Sequence, residues 1–221
     1  MIQFLHPQPK EVILGSGAGS DFFSGILADL LPEGKLIVSD PSPEQLDSIR
    51  AFNKPNIELV VSGADTLALE TGSVDAVWSF GALHHCFNKM EAFQKFAHFL
   101  KPGGRLVIAD IWINTKLSRY FDSYVARYCV TGHEAAFWSD DFASSLCDLC
   151  GFTDPEIYDL PLQWKFNSVS HVCIFMYVFN GMMHMTSTEC EAAARNLLRI
   201  ELIGEKYLLN WPMKVLVTSK E

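Results

Sequence analysis

The sequence predicts a doubly wound α/β fold, in which helices cover both faces of a seven-stranded, mostly parallel sheet with an antiparallel edge strand. Two observations lead to this prediction. Short apolar runs alternate with amphipathic segments along the chain, which is the pattern of buried strands and their covering helices. The first apolar run also passes directly into glycines at alternate positions, Gly15, Gly17 and Gly19. In such a sheet the ligand is expected at the carboxyl ends of the strands.

Composition limits the classes of protein that need to be considered. The length of 221 residues and the 49% hydrophobic content fit one globular domain over residues 1–221. With 17 basic against 26 acidic residues the net charge is −9, which disfavours nucleic acid and anionic membranes as partners. The six cysteines come without a visible signal peptide, so we expect reduced thiols and a cytoplasmic location.

The glycine segment predicts a binding cradle between a strand and a helix. Glycines let a ligand approach the backbone closely, and the following helix N-terminus offers free N–H groups. The spacing is G-x-G-x-G, and Ser20 stands where the dinucleotide fingerprint requires Gly or Ala. This spacing disfavours an NAD-dependent oxidoreductase. The alternative is that the glycines serve only the geometry of the turn.

Two acidic residues follow the next two predicted strands. Asp40 ends the strand predicted over 35–40 and lies 21 residues after Gly19, where a parallel-sheet nucleotide site places an acid on the ribose hydroxyls. Asp65 follows the strand predicted over 57–61 and offers an acceptor for the exocyclic amine of an adenine. The alternative for both is a helix cap, since capping residues are also short and polar.

The central part of the chain continues the alternation of strands and helices. A fourth strand is predicted over 74–80, and it leads to His84 and His85. A helix follows, and then a fifth strand over 105–111.

At this point the sequence resembles the class I S-adenosylmethionine-dependent methyltransferases of the small-molecule type, which have a Rossmann-like sheet. Five segments in the family's order and spacing carry the resemblance: 14–19, 38–40, 63–65, 74–85 and 100–106. The resemblance implies that the glycine loop holds the methionine part of S-adenosylmethionine, Asp40 the ribose and Asp65 the adenine, with backbone around Ser79 lining the methionine side. The cofactor-binding residues implied are Gly15, Ser16, Gly17, Gly19, Asp40, Pro41, Ala64, Asp65, Ser79 and Phe80.

One position departs from the family pattern. The family usually carries an acid two residues before the first glycine, where it helps to hold the cofactor's amino group, and here that residue is Ile13. Glu11 lies on the same face of the strand, one pair further back, because strand side chains alternate. Either the amino group is held in another way or the cofactor binds weakly.

The second half of the chain is expected to determine the substrate, through covering segments around 113–138 and 167–187. Tyr120, Phe121, Tyr124 and Tyr128 recur at helical spacing, so they form either core packing or part of this cover. His85 and His133 are candidates for a general base near the methyl group. The alternative for His84 and His85, which the resemblance favours, is a structural role at the start of a helix. Tyr124, one of the four residues of this aromatic stripe, is the third predicted catalytic residue. The ten residues before the first strand are expected to be non-helical because of Pro7 and Pro9.

The remaining features predict no metal site. Cys147 and Cys150 lie on one predicted helix without a second ligand pair, so they are interpreted as structural thiols. A sixth strand is predicted over 157–166 and a seventh over 211–218, the latter antiparallel at the edge and preceded by a helix over 189–208. The run 169–185 is too short to span a bilayer and fits a buried strand or helix.

The function that these observations predict is methyl transfer from S-adenosylmethionine to a small, largely apolar acceptor. The alternative is a non-methylating protein that binds S-adenosylmethionine or S-adenosylhomocysteine on the same fold, as a regulatory subunit or for another reaction. The expected partner is a small-molecule substrate. A second copy of the chain, or a protein that supplies the lid over the cofactor, stays open as a further partner.

Overall fold

A computed structural model describes residues 1–17, 22–182 and 184–221. Its strands are β1 (Val12–Ser16), β2 (Lys35–Asp40), β3 (Ile57–Val61), β4 (Val74–Phe80), β5 (Leu100–Asp110), β6 (Glu156–Phe166), β7 (Ile200–Ile203) and β8 (Lys206–Ser219). Its α-helices are α1 (Ile2–Leu5), α2 (Phe22–Asp29), α3 (Pro43–Arg50), α4 (Lys89–Phe99), α5 (Lys116–Tyr120), α6 (Ala126–Tyr128), α7 (Asp140–Leu149), α8 (Val169–Asn180) and α9 (Ser187–Ala193). A 3₁₀ turn covers Leu83–His85, and π-helical turns cover Phe121–Val125 and Ala194–Leu198.

The strands join in one sheet with the order β3-β2-β1-β4-β5-β8-β6, and the short β7 pairs with β8. The pairs from β3 to β5 are parallel, and β7 is antiparallel to β8. The core residues of β1 and β4 are fully buried, as expected for strands with helices on both faces. The predicted fold class is therefore confirmed. The parallel pairing also places the carboxyl ends of β1, β2 and β4 at one edge of the sheet.

The prediction of a helix over 189–208 is wrong in its second half. The helix ends with the π-helical turn at Leu198, and the chain then forms β7. Ile203 pairs with Lys206 across a two-residue loop, in which Gly204 has a φ of +61°. Such loops require a positive φ, which glycine adopts without strain, so the hairpin replaces the helix. Among the described residues the sheet therefore has eight strands, one more than the predicted seven.

The last strand was expected at the edge of the sheet, and it lies instead between β5 and β6. Val215 and Leu216 are consecutive in β8 and both fully buried, so this part of the strand is covered on both faces. Strand β6 takes the edge position, and it contains Pro161. Proline has no N–H to donate to a neighbouring strand and is tolerated at sheet edges.

The first residues contain one helical turn, contrary to the expectation that Pro7 and Pro9 would exclude a helix. The turn α1 ends at Leu5, and His6 has a φ of 47° in the left-handed region. Proline disfavours the α-helical conformation of the residue before it, so it ends this helix without preventing it.

The described chain divides into two compact units. The first comprises Met1–Asp110, Trp138–Tyr158 and Val215–Glu221, and the second comprises Ile111–Phe137 and Asp159–Lys214. The first unit contains β1 to β5, and so it holds the proposed cofactor-binding residues. The second contains the segments expected to cover the substrate, except Trp138. No helix in the described ranges is long and apolar enough to cross a membrane.

Candidate functional site

In the turn after β1, the backbone at Gly17 lies close to Ala82. Gly17 has a φ of +70°, and a Cβ added to it would lie 2.4 Å from the Cβ of Ala82. Its N–H donates to the carbonyl of Ser39 at 2.8 Å. Only glycine satisfies both the conformation and the contact. Gly15 and Ser16 end β1 beside this turn, whereas Gly19 lies outside the described residues.

The carboxylate of Asp40 lies at the carboxyl end of β2 and is 7% exposed. Its Oδ1 accepts the N–H of Ser42 at 2.9 Å. The cap of α3 is Ser42, whose side chain accepts the N–H of Gln45. Asp40 is therefore not the helix cap that the alternative interpretation required, although it braces the capping residue. Pro41, between the two, is exposed.

The loop after β3 places Ala64 and Asp65 beside the start of α4. Ala64 is 8% exposed and Asp65 is half-buried. Oδ2 of Asp65 accepts the N–H of Asn88 at 3.3 Å, while Asn88 itself caps α4. Asp65 thus joins the loop after β3 to the loop after β4, and it does not cap a helix of its own.

The end of β4 supplies a polar and an aromatic residue. Ser79 is 1% exposed, and Phe80 is half-buried with its ring centroid 5.0 Å from that of Phe23 on α2. The next residue, Gly81, donates its N–H to the carbonyl of Ala109 in β5 at 2.7 Å. Strands β4 and β5 are thus tied together where they end.

Glu11 is held by other residues of the first unit. Nη2 of Arg105 donates to its Oε1 and Oε2 at 2.8 and 2.7 Å, and the N–H of Gln8 donates to Oε2 at 2.8 Å. Nε of Arg105 donates to the carbonyl of Leu5. Ile13 is fully buried. Glu11 therefore anchors the segment before β1 and does not replace the family's usual acid.

A buried histidine–aspartate pair lies at the ends of β4 and β5. Asp110 is fully buried, and its Oδ2 accepts the N–H of His84 at 3.0 Å. Nδ1 of His84 lies 2.6 Å from Oδ1 of the same carboxylate. His85 is exposed, and its ring centroid is 4.1 Å from that of His84. The pair fixes the 3₁₀ turn, and so it positions His85.

Sequence reasoning missed Asp110 and Ser39 as residues of this edge. An acid directly after a buried apolar run was the available signal for Asp110. Ser39 is fully buried in β2 next to Asp40, and a serine inside an apolar strand was the signal there.

In the second unit, the predicted aromatic stripe is a packed row. Tyr124 stacks between Tyr120 and Tyr128, with ring centroids 6.2 and 6.4 Å away. Tyr120 is fully buried and accepts a hydrogen bond from Nδ2 of Asn180 at 3.0 Å. Burial raises the pKa of the Tyr120 phenol, so it stays neutral. Tyr120 is a core residue, whereas Tyr124 is half-buried and stays a substrate-side candidate.

His133 also belongs to the second unit. It is half-buried, and its ring centroid is 4.9 Å from that of Phe121. Its catalytic role stays a prediction.

The cysteine thiols are unpaired with one another throughout the chain, and all six lie in the described ranges. Burial raises the pKa of Cys147 to about 12 and also raises that of Cys150. Thiols of this kind are protonated at neutral pH.

Comparison with known proteins agrees with the geometry. Residues 14–108 match the family described as methyltransferase domain. Over 111 residues the chain is 32% identical to a malonyl-[acyl-carrier protein] O-methyltransferase from Methylococcus capsulatus, covering 49% of this chain and 40% of that protein. Over 160 residues it is 28% identical to an arsenite methyltransferase from Aquipseudomonas alcaligenes, covering 66% and 44%. The chain spans less than half the length of these curated relatives.

A solved structure shows the same fold over the whole chain. The YcgJ protein from Bacillus subtilis superposes with a TM-score of 0.74 at 15% identity, covering 100% of this chain and 97% of that one. The family match runs from β1 to β5 and includes Gly15, Gly17, Asp40, Asp65 and Ser79. Residues 14–108 are therefore similar to a methyltransferase domain, and this similarity supports S-adenosylmethionine as the cofactor.

Proposed function

We propose that this chain transfers a methyl group from S-adenosylmethionine to a small, largely apolar acceptor. The observation that carries the proposal is the Gly17 turn, in which a positive φ and the contact with Ala82 leave no room for a side chain. Within the first unit this turn lies at the same edge as the carboxylate of Asp40, at the carboxyl ends of parallel strands.

We propose that residues at this edge of the first unit hold the separate parts of the cofactor. The turn at Gly15, Ser16 and Gly17 is proposed to hold the methionine end through backbone groups, together with Gly19 and the backbone at Ser79 and Phe80. Asp40 is proposed to accept hydrogen bonds from the ribose hydroxyls, with Pro41 beside it, because a buried carboxylate is a strong acceptor for two donors. Asp65 is proposed to accept the adenine amine, with Ala64 against the ring.

The bound cofactor supplies a methyl group on a positively charged sulfonium, which is already activated toward nucleophiles. The chain then needs mainly to orient the acceptor and to exclude water. We propose that a ring nitrogen of His85 accepts the acceptor's proton, since His85 is exposed beside the rigid pair of His84 and Asp110. His133 is the second candidate for this base.

The acceptor is inferred from the chemistry of the second unit. Its side chains include a row of tyrosines and an aromatic cluster around Trp211, which lies 5.7 to 6.1 Å from the rings of Phe121, Phe175 and Phe179. Such groups favour an apolar molecule over a polyanion. The net charge of −9 also disfavours nucleic acid. The named relatives act on different acceptors, malonyl-[acyl-carrier protein] and arsenite, so they do not decide between classes.

The proposal is tested by incubating the chain with S-adenosylmethionine and panels of small molecules, and by following each molecule's mass. Growth of an apolar acceptor by one methyl group, together with release of S-adenosylhomocysteine, is the expected result. Cofactor binding without any methylated product would favour the alternative of a binding protein or of another reaction. Methylation that appears only when a second protein is added would indicate a partner that completes the site.

A further inference from the structure

Three serines are buried near the carboxyl ends of adjacent strands. Ser39 of β2, Ser16 of β1 and Ser79 of β4 are 0%, 1% and 1% exposed. The side-chain oxygen of each is buried and has no hydrogen-bond partner among the described residues. Buried hydroxyls in native proteins are nearly always paired, so three together require an explanation.

Strand register brings these hydroxyls into one row. Ser16 pairs with Ser39 across β1 and β2. Gly15 pairs with Trp78 across β1 and β4, so the next step along both strands sets Ser79 beside Ser16. Residues that pair in register point to the same face of a sheet. We call Ser39, Ser16 and Ser79 the serine row.

The residues next to the serine row on the same face, toward the starts of the strands, are apolar. One pair further back, Leu14 lies between Ile37 and Val77, and all three are buried. A polar row inside an apolar face lowers stability unless the hydroxyls find partners. Folding alone therefore gives no reason for serine at these positions.

The position of the row points to the binding edge. Ser16 directly precedes Gly17 and Ser39 directly precedes Asp40. Each serine thus shares a strand end with a residue proposed to hold the cofactor. A hydroxyl can both donate and accept, so it can pair with the hydroxyl, amino and carboxylate groups of such a ligand.

We propose that the serine row is a hydrogen-bonding element of the cofactor cleft, whose hydroxyls gain partners only when the cofactor binds. This inference rests on the proposed function and extends it. Because the three oxygens are buried, the chain over them must shift when the ligand enters. The unpaired hydroxyls then destabilise the ligand-free chain, and cofactor binding removes this cost. Replacing a serine of the row by alanine should therefore stabilise the ligand-free chain and weaken cofactor binding.

The test compares Ser39→Ala with a matched control, Ser73→Ala. Ser73 also has a buried hydroxyl oxygen without a partner among the described residues, but it precedes Val74 at the opposite end of β4. Thermal unfolding without ligand and calorimetric titration with S-adenosylhomocysteine are measured for both variants and for the parent. For Ser39→Ala we expect the Tm to rise by about 2–4 °C and the Kd to increase about 5- to 30-fold. For Ser73→Ala we expect a similar rise in Tm and the parent's Kd.

Two results would overturn the inference. An unchanged Kd for Ser39→Ala would show that the hydroxyl has no part in binding, whatever the Tm does. A lower Tm with weaker binding would show that the hydroxyl already stabilises the ligand-free chain. Failure of the proposed function is distinguishable from both, since the parent itself would then not bind S-adenosylhomocysteine.

Discussion

Arg105 holds the carboxylate of Glu11 with one guanidinium nitrogen, Nη2, at 2.8 and 2.7 Å from its two oxygens. The two residues are 94 positions apart in sequence, and both are partly buried. This contact joins β5 to the segment before β1, and it gives the carboxylate of Glu11 a structural role.

Glu11→Gln should therefore change stability and leave cofactor binding alone. Loss of the charge-assisted hydrogen bonds is expected to lower the free energy of unfolding by about 1–3 kcal/mol. Denaturant unfolding and titration with S-adenosylhomocysteine measure the two properties separately. Weaker binding of S-adenosylhomocysteine at unchanged stability would show that Glu11 takes part in cofactor binding.

Gly17→Ala should abolish cofactor binding, because the new Cβ meets the Cβ of Ala82 and displaces the turn. Gly103→Ala is the matched control, since Gly103 also has a positive φ, +73°, but a Cβ there would meet nothing within 4 Å. Both variants carry backbone strain, and only the first is expected to lose affinity. Equal affinities, measured by calorimetry, would place the binding site elsewhere.

Asp40→Ala is expected to weaken cofactor binding by about 1–3 kcal/mol, through loss of the acceptor for the ribose. Ser42→Ala, which removes the cap of α3, should instead cost about 0.5–2 kcal/mol of stability with affinity unchanged. If Asp40→Ala shows only the stability loss of the cap variant, Asp40 has a structural role alone.

Tyr124→Ala should reduce turnover of the acceptor while preserving affinity for S-adenosylhomocysteine. Tyr124 is half-buried, so replacing it should destabilise the fold little. Met182 is a poorer choice for this test, because it is fully buried and its Sδ lies 3.8 Å from the hydroxyl of Tyr120. Turnover equal to the parent's, measured with the acceptor found by mass screening, would remove Tyr124 from the substrate side.

Alkaline pH should destabilise the chain partly through Cys147. Burial raises the pKa of this thiol to about 12, from an ordinary value of 9.0. A raised pKa in the folded state gives stability that is complete below pH 9.0 and is lost as pH rises from there toward about 12. In Cys147→Ala the Tm should fall less steeply over this range than in the parent. Parallel Tm curves would contradict the assignment.

Much of the fold could be predicted because buried parallel strands are continuous apolar runs. The predicted bounds of β2, β3 and β4 agree with the structure. Strand β7 could not be predicted, since the run Leu197 to Ile203 fits both a helix and a strand, and the turn at Gly204 decides between them. The edge position of β6 likewise depends on pairing that a single sequence does not contain.

The candidate site was predictable where its residues are close in sequence. Gly15 and Asp40 lie near the ends of β1 and β2, Gly17 directly follows β1, and each carries a local signal. The contact of His84 with Asp110 joins residues 26 positions apart, and it exists only because β4 and β5 are neighbours in the sheet.

The most direct test of the central claim is a calorimetric titration of the parent chain and of Asp40→Ala with S-adenosylhomocysteine. The account predicts one binding site per chain in the parent and a Kd about 5- to 150-fold higher in the variant. No binding heat in the parent across several temperatures, or equal Kd values for the two proteins, would contradict it.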